Sequence, residues 1–250
     1  MKLEVKNLCF SYSKKDTIKD INFEVNEGDI VAILGVNGVG KSTLLKCLNN
    51  VHKAKSGEVL IDGISIKNMK QIEIAKKIGY VSQTGQFIEG SVFENILIGR
   101  KPFIKWTLKD EDLNEVSEAI KMVGLDELAS RNIDKLSGGE RQKVAICRVL
   151  AQKTPILMFD EPTSNLDLKN QIECLDVIKN IVKENKLLAL VSIHDLNLAL
   201  RYANKFLMLK DGTVYSFGGV ETINSKSIKE VYDIDVDVKY DENHTFIVVK

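Results

Sequence analysis

Two textures run along this chain. In one, apolar residues come at every second position or continuously over four to six residues. In the other they recur every three or four. The first sixty residues are of the first kind. "LEVKNLCFSY" (3–12) is partly alternating and "INFEV" (21–25) alternates cleanly, as strands with one buried face do. "VLIDGISI" (59–66) sets Asp62-Gly63 between apolar segments, the signal of a hairpin turn. "DIVAIL" (29–34) has no polar face and reads as a strand buried on both sides. Helical spacing follows in "STLLKCLNN" (42–50), and "IGYVSQ" (78–83) is another strand.

From about residue 91 to 151 the texture is helical, with "SVFENILIG" followed by "DLNEVSEAIKMVGL", where Leu113, Val116, Ile120 and Val123 share one face. Strands return at "ILMFD" (156–160) and "LLALVS" (187–192), with a long helical pattern between them, and "KFLMLKDGTVYSF" (205–217) reads as a hairpin turning at Asp211-Gly212. Strands alternating with helices predict an α/β fold with a mainly parallel sheet. The expected organisation is an α/β core over 1–83 and 155–220, a helical insert over 84–154, and a C-terminal extension over 221–250.

Composition narrows the class. At 250 residues and 44% hydrophobic, the chain can bury a substantial core. Its 35 basic and 35 acidic residues balance, which argues against a nucleic-acid binder that works by neutralising phosphates. Cys9, Cys47, Cys147 and Cys174 form no CxxC pair, so buried reduced thiols are expected rather than zinc or disulfides. The first ten residues lack the apolar run of a signal peptide, and no apolar run approaches the roughly 18 residues of a membrane span.

The chemistry begins at "GVNGVGKST" (35–43), which fits GxxxxGK[ST] between a strand and a helix. Gly35, Gly38 and Gly40 let the backbone curl round a phosphate at a helix N-terminus. Lys41 supplies a point charge, and the Ser42 hydroxyl is suited to Mg²⁺. In "ILMFDEP" a buried strand ends at Asp160, which could hold the magnesium shell, and Glu161 could activate a water. Three residues are ambiguous alone. Gln83 at a strand end is either a metal-binding amide oxygen or a surface glutamine. His194 in "SIHDL" either contacts a γ-phosphate or is structural. Tyr12 either stacks on a base or packs.

Tyr12, "GVNGVGKS", Gln83, "LSGGE" (136–140), "ILMFDE", "SNLD" (164–167) and His194, in that order, resemble the motif series of ATP-binding cassette (ABC) ATPases over essentially residues 2–220. The resemblance implies a P-loop NTPase (RecA-like) core with an N-terminal antiparallel β subdomain and a helical insert subdomain. It implies ATP held by Tyr12, Gly35, Val36, Asn37, Gly38, Val39, Gly40, Lys41, Ser42 and Thr43, with Mg²⁺ on Ser42, Gln83 and Asp160. Glu161 would be the general base and His194 the switch histidine. Two copies would pair head to tail, so that Ser137, Gly138 and Gly139 grip the partner's nucleotide, with Glu140 part of the same signature in trans, and Asp167 lies at the same interface. Departures are Val36 where proline is common and Cys147 where alanine is common. Neither removes a group the chemistry needs.

"ILIGRKPF", "LSGGERQKVAICRVLAQ" and "HDLNLALRYANKFLMLKDG" resemble, more narrowly, ATPase subunits of importers for iron-siderophores, haem or cobalamin. That implies transmembrane permease subunits as partners, a solute-binding protein indirectly, no nucleic acid, and a peripheral place on the cytoplasmic face of the membrane. The rivals are a soluble ABC ATPase of DNA maintenance or translation, a GTPase or small-molecule kinase, and a non-hydrolysing module. No sustained heptads lie between Lys41 and Asp160, the only Asn-Lys pairs lack a following Asp, and Glu161 opposes the third. Residues 221–250 carry no assigned chemistry; the resemblance suggests a short helix and strands there.

Overall fold

The computed structural model describes residues 1–13, 15–83, 85–164, 166–241 and 244–250. In chain order its elements are β1 (Lys2–Phe10), β2 (Ile18–Asn26), β3 (Ile30–Leu34), α1 (Lys41–Leu48), β4 (Ser56–Ile61) and β5 (Ile64–Ser65). Next come α2 (Gln71–Ala75), β6 (Ile78–Val81), α3 (Val92–Leu97), α4 (Asp110–Val123), α5 (Gly138–Ala151), β7 (Ile156–Phe159) and α6 (Leu168–Asn185). The chain ends with β8 (Leu188–Ser192), α7 (Leu196–Tyr202), β9 (Lys205–Lys210), β10 (Thr213–Gly218), α8 (Ser225–Tyr232), β11 (Val236–Asp241) and β12 (His244–Val249). Two compact units result, Met1–Met69 with Ile181–Lys250, and Lys70–Asn180.

In the first unit β3 is the organising strand. All five of its residues are buried, and it pairs in parallel with β8 on one side and β9 on the other, Val31 lying opposite Leu190 and Lys205. Each such aliphatic side chain contributes about 1.5–3 kcal/mol on burial, which holds the strand's C-terminal end in place. β10 folds back antiparallel on β9. The turn is Asp211-Gly212, both residues at positive φ (51° and 79°), the backbone a type I′ hairpin requires. Asp62-Gly63 turns β4 into β5 in the same way, with φ of 50° and 78°. β2, β1, β4 and β5 form a separate antiparallel sheet, and Phe23 meets Phe217 of β10 at 5.7 Å between ring centroids.

In the second unit β6 and β7 pair in parallel. A helical core gathers Val92 and Ile96 of α3, Val116, Ile120 and Val123 of α4, and Val144, Cys147 and Ala151 of α5. Cys147 is fully buried there, so the site of that departure is a packing position.

Leu113 is only half-buried, whereas Asp112 beside it is buried. The reason is Arg100, whose Nε donates to Asp112 Oδ1 at 3.0 Å and whose Nη1 donates to the Ala151 carbonyl at 3.0 Å. The guanidinium also lies 4.4 Å from the Phe103 ring centroid. Three of the four cysteines are buried and burial pushes the Cys47 and Cys174 thiols up to about 12, whereas Cys9 in β1 is half-buried, its sulfur accepting from the Asp20 N–H. No helix among the described residues is long and apolar enough to cross a membrane.

Removing one member of a buried ion pair strands the other charge. Asp112→Ala is therefore expected to destabilise the helical unit by about 3–5 kcal/mol, read as a lower denaturation midpoint in urea, whereas Ser117→Ala on the exposed face of the same helix leaves it near the parent value.

Candidate functional site

The loop from Gly35 to Gly40 leaves the buried end of β3 and enters α1 at Lys41. All three of its glycines take positive φ, 145° at Gly35, 79° at Gly38 and 113° at Gly40. Two are also required by space. A Cβ on Gly35 would come 2.7 Å from the Leu209 carbonyl oxygen, and one on Gly40 would meet Ile18 at 2.9 Å. Gly40 caps α1 with no side-chain hydrogen bond, the kind of helix start that suits an anion. Lys41 is buried, and its Nζ donates to the carbonyls of Gly35 (2.8 Å) and Val36 (3.3 Å). The ammonium is thus held inside the loop it serves. Val36, the position of the other departure, is exposed.

Tyr12 lies 63% exposed beyond the end of β1, which leaves ring surface for a base. Its hydroxyl is 2.9 Å from His52 Nε2 and 3.4 Å from Thr43 Oγ1. Phe10 packs edge-on against Tyr12 at 4.9 Å and stacks on His52 at 4.9 Å. His52 is a partner that sequence reading missed, since a lone histidine after a helix carries no spacing signal. His194 is exposed just past β8. The register pairing Ile33 with Ser192 brings it level with Gly35.

The remaining residues belong to the second unit. β7 is followed directly by Asp160, 2% exposed, whose Oδ2 accepts from the Tyr80 hydroxyl at 3.2 Å. Glu161 follows at φ 50°, a left-handed backbone uncommon for a residue with a side chain and typical of functional sites. Gln83 Nε2 donates to Glu161 Oε2 at 2.7 Å. The sequence reading gave Gln83 only its amide oxygen; the structure uses the nitrogen, and the two uses are compatible.

"LSGGE" opens α5. Ser137 is its N-cap and forms a capping box with Glu140, whose Oε2 accepts from both the Ser137 N–H and hydroxyl at 2.7 Å. The Ser137 hydroxyl and then its N–H hold the Glu140 carboxyl below its usual range. A Cβ on Gly139 would meet the Asn170 carboxamide at 2.9 Å, and the N–H and Nδ2 of Asn170 both donate to Asp167 Oδ1. Asn170, also unread from the sequence, thus ties "LSGGE" to Asp167; Asn165 of "SNLD" lies outside the described residues. So the structure gathers Tyr12, Gly35–Thr43 and His194 in one unit, and Gln83, Asp160 and Glu161, with Ser137–Glu140 and Asp167, in the other.

A glycine loop between a buried strand and a helix, with its lysine folded inside, defines a P-loop NTPase. The ABC transporter family model matches residues 18–164, and the chain belongs to that family. An uncharacterized ABC transporter ATP-binding protein of Methanocaldococcus jannaschii is 49% identical over 94% of this chain and 92% of that protein. The petrobactin import ATP-binding protein of Bacillus anthracis is 35% identical, covering 96% of this chain and 89% of that protein. Among solved structures, a dimeric ATP-binding cassette in a post-hydrolysis state, bound to ADP and Pi, aligns with a TM-score of 0.77 at 30% identity, covering 87% of this chain and 98% of that one. The chain is accordingly an ATP-binding subunit whose activity is that of its family, ATP hydrolysis coupled to transport.

The Tyr12 support depends on pH. Desolvation, then the Lys46 charge, hold His52 below its ordinary value of 6.5. The unfolded chain therefore takes up the proton first. The stabilising contribution is fully present above the ordinary value and is lost as pH falls through the lower folded one. Between about pH 7.5 and pH 5, the melting temperature of the parent is expected to fall more than that of His52→Gln, measured by scanning calorimetry.

Proposed function

We propose that this chain is the ATPase subunit of an importer for a ferric siderophore or a similar metal chelate, haem or cobalamin. It would work as a homodimer on the inner side of the membrane beneath two permease subunits, with a solute-binding protein delivering the cargo. The cargo reading rests on the petrobactin import subunit among the relatives and on the resemblance of the "ILIGRKPF" and "HDLNLALRYANKFLMLKDG" segments. A cassette of this type does not touch its cargo, so the ATPase assignment stands independently of it.

The observation that carries transport coupling is the 2.7 Å bond from Gln83 to Glu161. In this reading Gln83 opens the segment through which a permease would act on the helical insert, and Glu161 would deprotonate the attacking water. A push or pull on that segment therefore reaches the carboxylate directly. In this reading Tyr12 stacks on adenine and the amides of the 35–43 loop and Lys41 bind the phosphates. His194 steadies the γ-phosphate, and Asp167 lies across the dimer interface. Ser137, Gly138 and Gly139 engage the nucleotide of the other copy, with Glu140 holding Ser137. Ser42, Gln83 and Asp160 offer a hydroxyl, an amide oxygen and a carboxylate, the hard oxygen donors Mg²⁺ takes alongside phosphates and water. Magnesium would neutralise phosphate charge there. The domain plan proposed is the core over 1–83 and 155–220, the insert over 84–154 and the extension over 221–250.

Glu161→Gln keeps the size of the side chain and removes its basicity. Steady-state ATP hydrolysis is expected to fall by about 10²- to 10⁴-fold, with an ATP-dependent dimer accumulating on size exclusion; hydrolysis at the parent rate would remove Glu161 as the base. Gentle solubilisation and affinity capture of the tagged chain is expected to bring down a polytopic permease in equal amount. Recovery with ribosomal or DNA-repair proteins instead would leave the ATPase and end the importer reading.

A further inference from the structure

The C-terminal extension reaches the nucleotide site from behind. α8 starts at a capping box between Asn224 and Ser227, buries Ile228 and Val231, and ends at Tyr232, where Asp233 turns the chain at φ 56°. Lys210 at the end of β9 pairs with Glu230 at 2.7 Å, a link between the helix and the strand that backs the phosphate loop. Tyr232 is then in position to accept a hydrogen bond from the Gly35 N–H, at 2.8 Å. The Gly35 carbonyl accepts from Lys41 Nζ, also at 2.8 Å, and Leu209 leaves no room for a Cβ. The first residue of the loop is therefore held on its N–H, its carbonyl and its Cα. Val231 also lines a cavity of about 600 Å³ shared with Val36–Val39 and Lys210–Gly212.

A second attachment lies further along the extension. Asn197 on α7, the helix that follows His194, donates to the Ile247 carbonyl at 3.2 Å and accepts from the Ile247 N–H at 2.8 Å. The β11–β12 hairpin is thus docked on the helix behind the histidine, much as α8 is docked behind the loop.

We infer that Tyr232 is a positioning residue for ATP binding: its hydroxyl fixes the Gly35 peptide and so sets the direction in which the rest of the phosphate loop presents its amides. A loop that grips phosphate through backbone N–H groups gains affinity only if its peptide planes are already oriented before the nucleotide arrives. With no side chain and a φ of 145°, the Gly35 peptide has orientations open to it that a residue with a Cβ lacks. Tying its N–H to a helix outside the loop removes that freedom. Burial pushes the Tyr232 phenol up to about 12, against the lowering effect of the Gly35 bond, so the hydroxyl stays protonated throughout the working range.

The test is Tyr232→Phe in the full chain, which keeps the ring and removes the acceptor. Loss of one such bond is expected to raise the Kd for a fluorescent ATP analogue, and the KM for ATP, by about three- to tenfold. At saturating ATP, kcat stays within about twofold, and the split is the same at about pH 7 and pH 9. Packing alone predicts a different pattern, in which Tyr232→Phe matches the parent in Kd and KM while a Val231→Ala control lowers the melting temperature. That result overturns the proposal. A measurement on the unsubstituted protein covers the case of a variant that does not fold. The Gly35 amide must exchange with deuterium slowly in the absence of nucleotide, and exchange at the rate of an open loop overturns the proposal as well.

Discussion

The structure depends on one constraint, that a backbone used as a ligand must be held by something other than the ligand. The Gly35–Gly40 loop has positive φ at three glycines, so it has little intrinsic preference for one shape. What defines it is the buried end of β3 on one side, Lys41 folded onto two of its carbonyls, and Leu209 and Tyr232 behind Gly35. The neighbouring elements follow from that need. β3 is central because a strand buried on both faces moves least. β9 must pass close because its carbonyl closes the space at Gly35, and α8 must dock on β9 because its last residue completes the hold.

The same logic explains which features could be read from the chain. A property that depends on near neighbours in sequence leaves a local pattern. "IVAIL", "ILMF" and "LALVS" have no polar face, Asp62-Gly63 and Asp211-Gly212 can adopt a backbone few other pairs can, and Val116, Ile120 and Val123 recur at helical spacing. The phosphate loop is legible for the same reason, since its groups are contiguous. Partnerships across long separations leave no such trace. Asp112 looks like one more acid at the start of a helix until Arg100, itself held by the Ala151 carbonyl, closes on it. Tyr232 looks like a tyrosine near the end of a short helix, because nothing around it refers to a loop 197 residues away. His52 and Asn170 bond to Tyr12 and Asp167, so their spacing follows those residues rather than any motif.

Glu161 shows how close chemistry and strain lie in the second unit. β7 delivers a fully buried run and then, within two residues, a buried carboxylate and a left-handed turn. That backbone costs on the order of 1 kcal/mol, and it points the Glu161 side chain where Gln83 can reach it. A relaxed strand end would keep alternating, and would send the second acid to the face opposite the first. The strain is therefore the means by which two consecutive acids come to meet different partners, Tyr80 and Gln83.

The "LSGGE" segment raises a question of competition. Its capping box is complete within the chain: the N–H and hydroxyl of Ser137 both already donate to the Glu140 carboxylate. In the proposed dimer Ser137 also donates to the γ-phosphate of the other copy's nucleotide, and a hydroxyl has one hydrogen to give. The phosphate must therefore displace Glu140 from that hydrogen, and one anion is exchanged for another at the same helix N-terminus. The net gain is the difference between the two interactions rather than the whole of either. A glutamine there would be a neutral and weaker competitor. The charged residue keeps the signature ordered without nucleotide, and in the proposed dimer it would keep the grip on a partner's nucleotide modest, which suits an interface that must reopen after each hydrolysis.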